Sequence, residues 1–270
     1  MKRSLLLIFT ISISCLIYAT DKFVSFKKIT NNQLQLTNTT DTITYDSGEW
    51  EGVKIAIRNL RSDLKAVTGS SNAPIIVATV GKSNIENRYQ SQIKQLKGKW
   101  EKYLIFIDND KLIVLGSDKR GTIYGLYEIS RQIGVSPWYW MADVPIIKHD
   151  SIYINKGIYT DGEPKVKYRG IFINDEWPSF GTWCNNQFEG INSKAYSKIF
   201  ELLLRLKANY FWPAMWNSMF NEDDVLSPSI ADEMGIVMGT SHHEPMMRAH
   251  KEYTTRREEI GPWDFAKNPE

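Results

Sequence analysis

The segment Gly239-Thr-Ser-His-His-Glu244, followed by His250, gathers three of the chain's four histidines beside a carboxylate. Such a group can coordinate a metal, or its imidazoles can hydrogen-bond a carboxylate or hydroxyl of a ligand. The zinc-protease spacing His-Glu-x-x-His is not met, because Met247 stands where the second His belongs. Adjacent residues on a strand also face opposite sides, so a metal shared by His242 and His243 would need a loop. The expectation is hydrogen bonding to substrate by His242 and His243, with Glu244 beside them and no metal. Asp175 and Glu176 form a second chemical candidate. Paired carboxylates cleave glycosides when one protonates the leaving oxygen and the other activates water or attacks carbon. Adjacent side chains diverge, however, so one can face a site while the other bonds neighbouring backbone. In Trp212-Pro-Ala-Met-Trp216, Trp212 is expected in the core and Trp216 is the candidate for stacking on a sugar ring. Glu201 and Arg205, four apart, are expected to form a surface or barrel-wall ion pair. Gly116-Ser-Asp-Lys-Arg-Gly-Thr122 lies where a phosphate loop would lie but lacks Lys-Ser/Thr after its second Gly. It reads as an ordinary βα turn, with no nucleotide site.

The elements that must position these residues belong to an ordinary globular chain. Its 270 residues carry 33 Lys and Arg against 31 Asp and Glu, which gives no basic footprint for nucleic acid and no acidic tail. Two cysteines, Cys15 and Cys184, exclude a disulfide scaffold and a four-Cys zinc site. Nine Trp, seven of them from Trp138 onward, are the compositional outlier and suit the binding of flat, partly apolar rings. Lys2 and Arg3 precede an apolar stretch of 15 residues, Leu5 to Ala19. That is short of the roughly 20 residues a membrane span needs and reads as an export signal over 1–19. The protein is expected to be periplasmic or extracellular, either cleaved near Ala19 or lipid-anchored at Cys15, and without a membrane span.

Beyond the signal, apolar residues Val53, Ile57, Leu60, Leu64 and Val67 recur at helix spacing, with Gly69 as the stop. Ile75 to Val80 is a β-branched strand, and Tyr103–Asp108 and Lys111–Leu115 flank an Asn109-Asp110 turn. A helix then closes at Gly134, giving an α/β domain over 20–160. Asp161 to Lys165 is a polar linker. From 166 the pattern restarts: a strand over Tyr168–Ile173, a helix over Ser193–Lys207 with Ser193 as N-cap and Leu206 on its inner face, and a strand from Asn209. A short helix over Pro228–Met234 and a strand over Ile236–Met238 follow. This β-α-β-α-β order, with polar residues after each strand, is that of a (β/α)8 TIM-type barrel, whose chemistry sits at the strands' C-terminal ends.

Four segments carry a resemblance: Tyr168-Arg-Gly-Ile-Phe-Ile-Asn-Asp-Glu176, Phe200-Glu-Leu-Leu-Leu-Arg-Leu-Lys-Ala-Asn-Tyr210, Trp212-Pro-Ala-Met-Trp216 and Gly235-Ile-Val-Met-Gly-Thr-Ser-His-His-Glu-Pro-Met246. Together they resemble glycoside hydrolase family 115, the xylan α-1,2-glucuronidases, and Gly121–Tyr127 and Gly134–Trp138 resemble its N-terminal α/β domain. The resemblance implies release of (4-O-methyl-)glucuronic acid from glucuronoxylan with inversion and without metal or organic cofactor. It implies site positions at Asp175, Trp216 and His242 or His243, with Glu176 and Glu244 of lower standing. The residues themselves do not assign acid and base.

The 105 residues from Val166 to Glu270 hold three expected strands, whereas a complete barrel takes about 250 residues. The chain is therefore expected to be an N-terminal fragment, catalytically silent, with a protease-resistant core ending near Asp161. A non-catalytic carbohydrate-binding protein and a metal-dependent hydrolase are the competing expectations.

Overall fold

The computed structural model describes residues 22–269; the expected export signal and Cys15 lie outside them. The chain runs β1 (Val24–Ser25), β2 (Leu34–Gln35), β3 (Thr44–Tyr45), α1 (Glu51–Thr68), β4 (Ile75–Thr79), α2 (Gln90–Leu96), β5 (Tyr103–Asp108), β6 (Lys111–Gly116), α3 (Lys119–Gln132), β7 (Tyr153–Ile154) and β8 (Ile158–Tyr159). Strands β3, β4 and β6 are parallel, and β5 pairs antiparallel with β6 and β8, giving the order β3-β4-β6-β5-β8. A small antiparallel sheet, β1-β7-β2, lies alongside. The spacing of α1 does what it predicts: Val53, Ile57, Leu60, Leu64 and Val67 are fully buried, and the helix ends at Gly69 with φ +81°, a conformation a Cβ would strain. Asn109 and Asp110 both take positive φ and turn β5 tightly into β6. Asp118 caps α3 by accepting from the Gly121 N–H at 2.8 Å, so that turn amide is engaged within the fold.

Downstream come β9 (Gly170–Ile173), α4 (Phe180–Phe188), α5 (Ser193–Arg205), β10 (Tyr210–Pro213), α6 (Leu226–Met234), β11 (Val237–Met238), α7 (His250–Thr255) and α8 (Arg257–Ile260). Strand β10 is the middle of a three-stranded parallel sheet and pairs with β9 on one side and β11 on the other. Several expectations are corrected here. Helix α4 went unread, because its aromatic residues Phe180, Trp183 and Phe188 pack mainly on one another rather than showing a clean apolar stripe. The N-cap of α5 is Asn192, whose side chain accepts from the Lys194 and Ala195 N–H groups, and Ser193 is its first helical residue. Leu206 falls past the helix end and is 45% exposed. Trp212 is only half-buried, beside Phe172 and Tyr210. Among the described residues no helix is long and apolar enough to cross a membrane.

Glu201 and Arg205 pair as expected, and of the two expected settings the surface one is not met: both side chains are buried, behind the parallel sheet. Helix α5 is buried nearly all round because it lies between the parallel sheet and the upstream helices. One apolar core joins Val53 and Leu60 of α1 to Phe200 and Leu203 of α5 and to Phe211 of β10. Polar bonds cross the same junction. Arg205 grips Asp63 of α1 through two nitrogens at 2.8 and 3.1 Å while its Nε holds Glu201. The Glu101 carboxylate, wholly buried, accepts from Arg120 of α3, Arg169 just before β9 and Asn209 just before β10. Lys119 and Arg120 also donate to the Asp232 and Gly235 carbonyls, capping the C-terminal end of α6 with positive charge. At Gly52 the backbones approach so closely that a Cβ would lie 2.3 Å from the Glu233 carbonyl oxygen.

Burial by itself would raise the Glu201 and Glu128 carboxyls, yet Arg205 and Lys198 hold Glu201, and Arg131 and Lys207 hold Glu128, below the ordinary value of 4.5. Both groups thus titrate lower in the folded protein than in the unfolded chain. Protons taken up on acidification therefore favour the unfolded chain, and the stability present at neutral pH is lost as pH falls below about 4.5 and through the folded values. Urea midpoints measured from pH 7 to pH 3 should be flat down to that point and then decline. A midpoint that rises on acidification would contradict this electrostatic account.

Candidate active site

The loops leaving the three parallel strands meet at one end of the sheet. After β9 come Asn174, Asp175 and Glu176; after β10, Ala214 to Ser218; after β11, Gly239 to Glu244. The β10 exit loop is held from both flanks by buried carboxylates. Asp175 is 2% exposed, and its Oδ2 accepts from the Asn217 N–H at 2.7 Å, the Ser218 N–H at 2.8 Å and the Ser218 hydroxyl at 2.9 Å. Glu244, also 2% exposed, accepts from the Met215 N–H at 3.0 Å through Oε1, and through Oε2 from the backbone N–H and hydroxyl of Ser241. Charge-assisted bonds of this kind are roughly twice as strong as neutral ones, and together they fix the backbone on both sides of Trp216.

Trp216 projects from that clamped loop, 45% exposed. The His250 ring lies parallel to it, 4.0 Å between centroids and 2° between planes, and His243 meets it edge-on at 4.9 Å. The rings of His242 and His243 are 3.9 Å apart. Trp216 and the His pair border a cleft of about 470 Å³ whose other side is formed by Phe172, Asn174, Glu176 and Trp177. Aromatic faces, exposed imidazoles and a carboxylate thus surround one space, a combination suited to a ring bearing hydroxyls.

The model of glycosyl hydrolase family 115 matches residues 161–270. A solved family GH115 4-O-methyl-α-glucuronidase, BtGH115A, with specificity for decorated arabinogalactans, is 33% identical at a TM-score of 0.78, covering 92% of this chain and 33% of its own. The chain belongs to glycosyl hydrolase family 115. This family 115 chain spans about a third of the length of that solved relative. A chitobiase from Flavobacterium johnsoniae aligns at 14% identity and a TM-score of 0.49, over 86% of this chain and 36% of its own. No curated protein matches the chain.

Of the residues singled out in the sequence, the structure brings Glu176, Trp216, His242, His243 and Glu244 to the cleft of the family 115 chain. Asp175 stands behind it. The adjacent pair diverges as strand geometry requires: exposed Glu176 faces the cleft and Asp175 bonds neighbouring backbone. One oxygen of Asp175, Oδ1, is nevertheless buried without a partner, the only such carboxylate atom among the described residues. Phe172, Asn174, Trp177, Asn217 and Ser241 also border the cleft and were not anticipated. Their signal is position alone, since each lies at or within four residues of a strand's C-terminal end. His242, His243 and Glu244 do not join into a metal cage, and among the described residues no three His, Cys, Asp or Glu are arranged as one. Burial pushes the Cys184 thiol up to about 12, which keeps it protonated and unreactive at neutral pH.

Removing the Asp175 carboxylate would strand two backbone N–H groups and one hydroxyl. The variant Asp175→Ala should cost about 2–5 kcal/mol in urea denaturation, the scale for breaking a buried charged network. Glu176→Ala, at an exposed position, should leave the transition almost unmoved. Equal midpoints for the two variants would show that Asp175 does not clamp the loop.

Proposed function

We propose that the cleft binds a glucuronic acid residue, free or 4-O-methylated, and belongs to a glycoside hydrolase that removes it from a polysaccharide. The observation that supports this reading best is the composition of the cleft. Trp216 and Trp177 offer apolar faces, His242 and His243 offer N–H donors, and Glu176 is the exposed carboxylate beside them. Its volume of about 470 Å³ lies within the range of small-ligand sites, about 300–1,000 Å³. In this proposal one face of the pyranose stacks on Trp216, and an imidazole N–H bonds the uronate carboxylate.

The three parallel strands with their site at the C-terminal ends are read as the opening strands of a (β/α)8 barrel. Inversion, expected from the family, needs one carboxylic acid to protonate the leaving oxygen and a second carboxylate to activate water on the opposite face. In our reading Glu176 reaches the cleft directly. Asp175 serves first by holding the Trp216 loop, and its free Oδ1 is the atom a substrate hydroxyl or water would satisfy. The polymer carrying the uronic acid is proposed to be glucuronoxylan, and the solved relative's specificity for decorated arabinogalactans makes that polymer the first competitor to test. Export, read from residues 1–19, with Cys15 as a possible lipid site, accords with a polysaccharide substrate and stays part of this proposal.

Calorimetry on the full chain should detect glucuronic acid and a much weaker response to glucose, which lacks the carboxylate. Trp216→Ala and His242→Ala should each weaken glucuronate by about tenfold or more, the scale of one stacking or charge-assisted contact. Both variants should keep the wild-type unfolding midpoint within about 0.5 kcal/mol, as exposed positions do. Equal binding of glucose and glucuronate would defeat the uronic acid reading.

A further inference from the structure

Of the three histidines gathered in the sequence, His250 is the one that the proposed binding leaves without a role. It is the first residue of α7 and does not border the cleft. Its ring nevertheless covers one face of Trp216, parallel to within 2° at 4.0 Å between centroids. Because Trp216 borders the cleft and His250 does not, the covered face is withheld from a ligand and the opposite face is the one presented.

A platform on an exposed loop needs more than a fixed backbone. The bonds from Asp175 and Glu244 hold the main chain on both sides of Trp216, but they do not set the side-chain torsions of the indole. Among the described residues the indole N–H has no hydrogen-bond partner, so no hydrogen bond sets them either. The ring contacts that remain are two imidazoles, His250 on the face and His243 at the edge. His243 is exposed, whereas His250 is half-buried and carried on backbone tied to the Trp216 loop. The Lys251 N–H donates to the Met215 carbonyl at 3.4 Å, and Ala249 is buried in the core. The residue after His250 is thus bonded to the residue before Trp216, and that contact brings the two rings together.

We infer that His250 is a positioning residue for the proposed site: stacked on one face of Trp216, it fixes the plane of the indole and presents the other face, already oriented, to the sugar ring. The inference rests on the reading of the cleft as the uronic acid site. An indole oriented beforehand loses little freedom when the sugar binds, a difference of about two- to tenfold in affinity for one large side chain. His250 acts through Trp216 and not by touching the substrate.

Two readouts on the full chain test this: near-UV circular dichroism, which reports how rigidly the indole is held and needs no ligand, and calorimetry with glucuronic acid. The band that Trp216→Ala removes should be lost in His250→Ala and kept in His250→Phe, which preserves the stack. Glucuronic acid should bind about two- to tenfold more weakly to His250→Ala and to His250→Gln, and at wild-type strength to His250→Phe. In the Trp216→Ala background, His250→Ala should have no further effect. The comparison of Phe with Gln decides the matter even where alanine lowers the unfolding midpoint. Full affinity in His250→Gln with loss in His250→Phe would show a hydrogen bond to the sugar instead of a stack, and would overturn the inference. An unchanged band in His250→Ala would overturn it too, by showing an indole held without the imidazole. Loss of the band in His250→Ala with no glucuronic acid bound by wild type would defeat the uronic acid reading and leave the positioning of Trp216 standing.

Discussion

Strand β10 is gripped at both ends by carboxylates that folding has removed from water. Below it, Glu101 ties Asn209 and Arg169 to Arg120 of the upstream half. Above it, Asp175 and Glu244 take the amides on either side of Trp216. Burying each carboxylate costs several kcal/mol, and only a full set of well-placed donors offsets that cost. The arrangement is therefore all-or-none: the strand sits in one register, with one loop geometry, or the charges are left unsatisfied. A strand held in this way makes a rigid base for a ring-binding site.

The upstream half takes part in that rigidity. Asp63 of α1 receives Arg205 of α5, and Lys119 and Arg120 of α3 cap α6, so the helices behind the parallel sheet are fixed by the α/β sheet's own helices. The apolar core runs unbroken through the same region. Side chains at the cleft need no mobile support of their own, because the backbone beneath them is fixed by charged bonds at both ends. Such a foundation lets exposed groups such as Glu176 and the His pair be devoted to a ligand.

Much of this was legible in the sequence because it follows from local periodicity. The three-and-four spacing in α1, the β-branched run of β4 and the Asn109-Asp110 turn needed no tertiary information. The clustering of polar residues after each parallel strand located the cleft for the same reason. What stayed hidden was anything set by contacts distant in sequence. Glu201 and Arg205 have the spacing of a surface pair, and only Asp63, 142 residues before Arg205, takes them inside. Asp175 and Glu176 look equivalent as a dipeptide, and their separation into a clamp and a cleft residue depends on amides 42 and 43 residues further on. Helix α4 escaped because aromatic residues packing on one another mask its helical period.

The central claim is that two buried carboxylates, by binding backbone amides, hold the loop that presents Trp216. Amide hydrogen exchange at Met215, Asn217 and Ser218 reads those bonds directly. All three amides should be strongly protected in the wild-type chain. Glu244→Ala should release Met215 alone, and Asp175→Ala should release Asn217 and Ser218, while the amides within β10 stay protected. Rapid exchange of these three amides in the wild-type protein, at the rate of an open loop, would contradict the account.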